Sequence, residues 1–190
     1  MFLTGEHDGI SISMAKVSKK ICLVGDFGVG KTSLVRRFVD RQFDDRYLST
    51  VGVKISRKLV ELDPSLPDIA TTEVQLLIWD LEGRNKFKAI VPSYLQGARG
   101  AVLVADVSRP GTLRSLEEHL DQFCTINPNS KVMVALNKAD LLNEGLPIDT
   151  SSLKAVDDHN QVLKRYFTSA KTGDQVDDLF VRLTYQMLRP

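Results

Sequence analysis

The sequence predicts an α/β fold, a mostly parallel six-stranded sheet with one antiparallel edge strand and helices on both faces. Three observations predict it. Apolar strand-like runs alternate with helical patterns from residue 19 onward. Two of those runs, 101–105 and 132–136, are apolar at every position, as strands covered on both sheet faces must be. Two extended runs flank a loop marked by two prolines, which makes them a hairpin and supplies the antiparallel edge.

The elements follow in order. Residues 1–18 carry Glu6, His7 and Asp8 and no apolar stretch of signal-peptide length, so they read as a mobile tail, and residues 19–190 as one domain. Residues 21–24 form a short apolar strand ending in glycine, and the helix after the glycines carries Leu34, Val35 and Phe38 at core-facing spacing. Runs 53–62 and 74–79 are the hairpin, joined through Asp63-Pro64-Ser65-Leu66-Pro67-Asp68. Between the two fully apolar strands, Leu113, Leu116, Leu120 and Phe123 fall at helical spacing. Leu153, Val156 and Leu163 mark a later helix, 165–168 a last strand, and Val176, Leu179, Phe180, Leu183 and Met187 the final helix.

Composition narrows the function classes. The 190 residues include 25 Lys+Arg and 24 Asp+Glu, a net charge of +1 that argues against general nucleic-acid binding, which needs a basic surface. The apolar runs fall far short of the ~20 residues that span a bilayer. Phe2 stands where N-myristoylation needs glycine, and the last residues lack a prenylation cysteine, so no lipid anchor is visible. Two cysteines, Cys22 and Cys124, rule out a disulfide-dense scaffold and make a reducing, cytoplasmic compartment the default. Both read as buried structural thiols. His7, His119 and His159 show no metal-ligand spacing and are assigned no chemistry.

Gly25-Asp26-Phe27-Gly28-Val29-Gly30-Lys31-Thr32, followed by Ser33, fits G-x-x-x-x-G-K-[ST] between an apolar strand and an amphipathic helix. Glycines let backbone N–H groups converge on a phosphate, and the helix N-terminus adds a favourable field. Lys31 sets a positive charge against the β- and γ-phosphates, and Thr32 offers a hydroxyl to Mg²⁺. The loop specifies a nucleoside triphosphate, not its base. The base is read further on. Directly after strand 132–136 stands Asn137-Lys138-Ala139-Asp140. A carboxylate there accepts hydrogen bonds from the N1–H and N2 amino group of guanine, a donor pair adenine lacks. Asn137 can brace neighbouring loops, and the Lys138 stem can lie along the base. After the last strand comes Thr168-Ser169-Ala170-Lys171, where the Ala170 N–H can donate to the guanine O6. All three segments leave one sheet edge, where ligands of such folds bind.

With these motifs the chain resembles the Ras superfamily of small GTPases, the Rab branch most closely, over about residues 19–188. Tyr47-Leu48-Ser49-Thr50-Val51-Gly52-Val53 is similar to the first switch, and Trp79-Asp80-Leu81-Glu82-Gly83 stands in the place of W-D-x-x-G. Thr50 follows Lys31 by 19 residues and Phe43 by 12, the family's spacing for its Mg²⁺ threonine and its guanine-packing aromatic. The resemblance implies a P-loop NTPase domain that binds GTP or GDP with Mg²⁺, hydrolyses GTP and meets effectors, an exchange factor and an activating protein. It implies that Thr32 and Thr50 coordinate Mg²⁺, Asp80 through a water. It implies that Thr50 and Gly83 N–H groups touch the γ-phosphate, and that Tyr47 belongs to the nucleotide-binding set. Losing that phosphate relaxes both segments.

Two residues depart from the family. Arg84 follows Gly83 where a water-orienting glutamine is usual, and arginine has only donors. Slow intrinsic hydrolysis is the expectation; the opposing reading makes Arg84 a cis arginine finger, and the plain one leaves it in solvent. Phe27 replaces a small residue near the γ-phosphate, where it either blocks a partner's arginine finger or shields the phosphate from water, or else only covers the switch segment. The segment from Thr50 to Asp80 is longer than in most relatives and should lengthen the hairpin edge. Without a prenylation motif, the resemblance points to a prokaryotic relative or a domain of a longer polypeptide. A guanine-nucleotide switch with weak GTPase activity is thus the leading expectation, a GTP-locked structural interaction subunit the second, and an ATP-dependent P-loop kinase or ATPase the third.

Overall fold

Strand β1 (Val17–Val24) lies inside a six-stranded sheet of order β2-β3-β1-β4-β5-β6. The computed structural model describes residues 17–44, 50, 52–69, 72–81, 91–142 and 150–189. Among them β1 is followed by α1 (Lys31–Asp40), β2 (Val53–Glu61), β3 (Glu73–Leu81), α2 (Val91–Leu95) and β4 (Gly100–Asp106). Then come α3 (Pro110–Arg114), α4 (Leu116–Ile126), β5 (Lys131–Asn137), α5 (Lys154–Asp157), β6 (Val162–Thr168) and α6 (Val176–Leu188). Every neighbouring pair is parallel except β2 with β3. This is the expected α/β sheet with one antiparallel edge.

Alternation along each strand divides the core in two. Ile21, Leu23, Val102, Val104, Met133 and Ala135 face α1 and α6, meeting Leu34, Val35, Phe38, Leu179, Phe180 and Leu183. Their chain neighbours Cys22, Leu103, Val132, Val134 and Leu136 face the other way, onto Leu116, Leu120, Phe123, Leu153 and Val156. Burial on both faces explains why residues 101–105 and 132–136 include no polar side chain. Phe38 and Phe180 stack with centroids 4.3 Å apart and lock α1 to α6, each ring contributing about 1.5–3 kcal/mol by leaving water.

The structure corrects the sequence reading in four places. β1 begins at Val17, and Val17 and Ser18, assigned to the tail, already pair with Val74 and Gln75. The proline loop adds no residues to the hairpin ladder, which ends at Glu61 opposite Glu73. The extra residues fold back onto α6 instead: Leu66 and Ile69 pack on the core, Tyr185 donates to the Pro67 carbonyl at 3.2 Å and Arg189 meets Asp68 at 3.2 Å. Leu163 belongs to β6, not to a helix, and is exposed, because the chain turns at His159 and pairs Val162 with Val132. The helical pattern around Leu113 divides at Ser115, whose N–H closes α3 on the Gly111 and Leu113 carbonyls and which also caps the start of α4.

Candidate functional site

The C-terminal ends of β1, β3, β5 and β6 open on a cleft of about 300 Å³. One end of it is the turn between β1 and α1. Two glycines there are obligatory. A Cβ on Gly25 (φ +145°) would lie 2.2 Å from the Val104 carbonyl oxygen, and one on Gly30 (φ +98°) 2.3 Å from Asn137 Nδ2. Gly30 caps α1 with no side-chain hydrogen bond, and the first turn carries no acidic residue. A helix start with neither a side-chain cap nor an acidic residue in its first turn suits an anion. Lys31 is buried, its ammonium donating to the Gly25 and Asp26 carbonyls at 2.6 and 2.7 Å, which arches it back over the loop.

Register sets the second feature. Val74, Leu76 and Ile78 of β3 face α1, so Asp80 does too, two residues on. Thr32 donates to Asp80 Oδ2 at 2.5 Å, and the Thr32 and Thr50 hydroxyls lie 2.7 Å apart. Burial raises the Asp80 carboxyl above its usual range, against the Thr32 bond and the charges of Lys31, Lys54 and Arg36. Its Oδ1 is buried without a hydrogen-bond partner among the described residues. Two hydroxyls and a carboxylate, one of whose oxygens has no hydrogen-bond partner among the described residues, form an all-oxygen donor set, the kind a hard divalent cation such as Mg²⁺ takes.

The other end of the cleft is built by side chains. Asn137, buried at the end of β5, donates from Nδ2 to the Val29 carbonyl at 2.9 Å, 108 residues away in sequence. Its Oδ1 accepts from Thr168 and from the Ala170 N–H, both at 3.3 Å. Ser169 donates to Asp140 Oδ1 at 2.6 Å and fixes the exposed carboxylate against the β6 loop. Lys138 takes a left-handed backbone (φ +65°) and sets its ammonium 2.6 Å from Asp106, which leaves its stem along the cleft. Asp106 is itself buried. Burial pushes its carboxyl up, but bonds from Lys138, Ser108 and Arg109 outweigh that and hold it below the usual range.

The structure gathers most of the residues singled out by sequence. Phe27, Gly28, Gly30, Lys31, Thr32 and Ser33 line the phosphate end with Thr50, and Phe43, Asn137, Lys138, Asp140, Ala170 and Lys171 line the rest. Asp80 and Ser169 stand behind the wall, and Val29 is buried in the core, present at the site through its backbone. The Asp26 side chain turns away to α4, where Ser115 donates to it at 2.6 Å and His119 Nε2 lies 2.9 Å away. Burial raises that carboxyl, but these two bonds and the charges of His119 and Lys31 outweigh it, and it falls below the usual range. Tyr47, Gly83 and Arg84 lie outside the described residues.

Sequence reasoning missed Arg37, Asp106, Arg109 and His119. Arg37 donates to the Ala170 carbonyl at 2.7 Å and to that of Lys171. Arg109 spans Asp106 and the Phe27 carbonyl, at 2.9 and 3.1 Å. Asp106 carried a signal, a carboxylate ending an apolar strand at the level of Asn137 on the next one.

A strand order of 2-3-1-4-5-6 with the phosphate-type loop at the β1–α1 junction defines the class: a P-loop nucleotide-binding fold. Comparison with known families narrows it. The Ras family matches residues 20–189. Ras-related protein Rab-18-B of Danio rerio is 35% identical over 173 residues, 90% of this chain and 79% of its own. Ras-related protein Rab-1C of Dictyostelium discoideum is 33% identical over 86% of this chain and 78% of its own. GTP-binding protein ypt5 of Schizosaccharomyces pombe is 32% identical over 92% and 80%. The chain belongs to the Ras family and is Rab-like within the superfamily of small GTPases.

Proposed function

We propose that this chain is a guanine-nucleotide switch that binds GTP and GDP with Mg²⁺ and hydrolyses GTP slowly, showing its partners a different surface in each state. The observation that carries the proposal is the double grip of Asn137. Its amide holds the phosphate loop through Val29 and the base-reading loop through Ala170, so one side chain sets both ends of the cleft against each other.

In this reading the first-turn N–H groups of α1 and the Lys31 ammonium hold the phosphates. Thr32 and Thr50 would hold Mg²⁺ by their hydroxyls and Asp80 through a water, its Oδ1 having no hydrogen-bond partner among the described residues. Bound Mg²⁺ neutralises charge developing on the phosphates. Backbone N–H groups of Thr50 and Gly83 hold the γ-phosphate; its loss releases both segments. Asp140 reads guanine N1–H and N2, Ala170 N–H reads O6, the Lys138 stem lies along the base, and Phe43 packs edge-on to it. An exchange factor, an activating protein and effectors are the partner classes that follow from family membership, in a cytoplasmic setting consistent with the two free cysteines. Among the described residues no helix is long and apolar enough to cross a membrane.

Single-turnover GTP hydrolysis tests the catalytic part. Wild type turns over more slowly than glutamine-bearing relatives, and Arg84→Gln accelerates it. A slower Arg84→Gln variant would instead make Arg84 a cis arginine finger. Phe27 at the phosphate end favours a second reading, a GTP-locked interaction subunit. Nucleotide released from purified protein before and after long incubation separates the two: conversion to GDP supports the switch, unchanged GTP the locked subunit.

A further inference from the structure

The turn after β6 is held by more than its own backbone. Ser169 donates its N–H to the Asp174 carbonyl at 3.1 Å, and its carbonyl accepts from Gly173 at 2.8 Å. The Thr172 N–H reaches Ser169 Oγ at 3.1 Å. These bonds leave the carbonyls of Ala170 and Lys171, and Arg37 takes both, through Nε and one terminal nitrogen. The Arg37 stem also runs past Gly173, whose φ of +92° shapes the turn; a Cβ there would sit 3.6 Å from Arg37 Cδ. Arg37 is half-buried and lies 6 residues after Lys31 on the same helix, about 9 Å along its axis. Helix α1 therefore begins at the phosphate loop and, two turns on, holds the loop that reads the base.

We propose that Arg37 is a positioning residue for guanine specificity, fixing the distance and angle between the phosphate-binding end of α1 and the Ala170 N–H that meets O6. The inference rests on the guanine-nucleotide reading above. A planar guanidinium can bind two successive carbonyls at once, whereas an ammonium is a point charge that satisfies one of them well. Without the fork, the peptide planes on the C-terminal side of Ala170 rotate more freely, and the donor to O6 loses its aim. The Asp140 carboxylate has its own anchor, Ser169, and keeps its aim.

The test uses three diphosphates that differ at single positions of the base. 6-Thio-GDP replaces O6 by sulfur, a weaker and larger acceptor, and keeps N1–H and the 2-amino group. IDP keeps O6 and N1–H and lacks the 2-amino group. Affinities are measured by displacement titration on wild type, Arg37→Lys and Arg37→Gln, with thermal melts alongside. Arg37→Gln should bind GDP about tenfold more weakly. Its preference for GDP over 6-thio-GDP should shrink severalfold, while its preference for GDP over IDP stays at the wild-type value. Arg37→Lys should fall between, and carries the same comparison if Arg37→Gln does not fold. Affinities that all drop by one common factor, with both preferences unchanged, or that do not change at all, would overturn the proposal. Wild-type protein that binds none of the three would overturn the guanine reading itself, a separable outcome.

Discussion

At the phosphate end of the cleft most of the wall is one contiguous loop and the first turn of α1, joined by Thr50, whereas at the base end three loops far apart in sequence meet through side chains. The phosphate end depends on backbone: two glycines in conformations that a side chain would strain, an uncapped helix start and one lysine folded over them. The base end depends on braces, Asn137 to Val29, Lys138 to Asp106, Ser169 to Asp140 and Arg37 to the turn after β6. An anion is recognised by charge and N–H density, which a local segment can present. A planar base is recognised by direction, which needs loops fixed relative to one another.

The largest expected effect breaks the phosphate end alone. Lys31→Ala should lower affinity for GTP by about a hundredfold or more and for GDP by less, because a charge-assisted contact to the outer phosphates is lost. Equilibrium titration checks it, and guanine-over-adenine preference should survive. Asn137→Ala should damage both ends at once. Removing the amide leaves the buried Val29 carbonyl without its donor, so the fold should lose about 2 kcal/mol in denaturant unfolding, with nucleotide affinity falling as well.

A smaller effect has the opposite sign. Asp80 is buried with its carboxyl raised, so its ionisation weighs against the nucleotide-free fold. Asp80→Asn should therefore stabilise the nucleotide-free protein at neutral pH by about 1 kcal/mol while removing the Mg²⁺ dependence of nucleotide binding. The stability gap should open as pH climbs from the ordinary carboxylate range through the raised one, and vanish below it. Melts across that range check the sign. The smallest effect is at Asp26, whose carboxyl is held low by Ser115 and His119. Its contribution is present above the ordinary carboxylate range and lost as pH falls through the lowered one. With the side chain 37% exposed, Asp26→Asn should remove only a few tenths of a kcal/mol.

The same contrast explains what could be read in advance. Apart from the corrected stretches at Val17–Ser18, Ser115 and Leu163, the alternating strands and helices, both fully apolar strands, and the phosphate loop are local patterns that appear where the sequence puts them. The three segments 25–32, 137–140 and 168–171 meet at one rim because parallel strands end together. Arg37 was invisible because its partners are carbonyls 133 and 134 residues away, and a carbonyl has no sequence signature. His119 lacks metal-ligand spacing and carries no local mark of a role, because its partner Asp26 lies 93 residues earlier. The proline loop misled for a related reason. Turn residues announce a reversal, but only packing against Tyr185 and Arg189 decides whether the added chain extends a ladder or folds over a helix end.

Calorimetric titration of nucleotide-stripped protein with GDP and with ADP, in the presence of Mg²⁺, tests the central claim most directly. Tight one-to-one binding of GDP with little or no heat from ADP is the predicted result. Silence with GDP, or equal binding of the two, would contradict it.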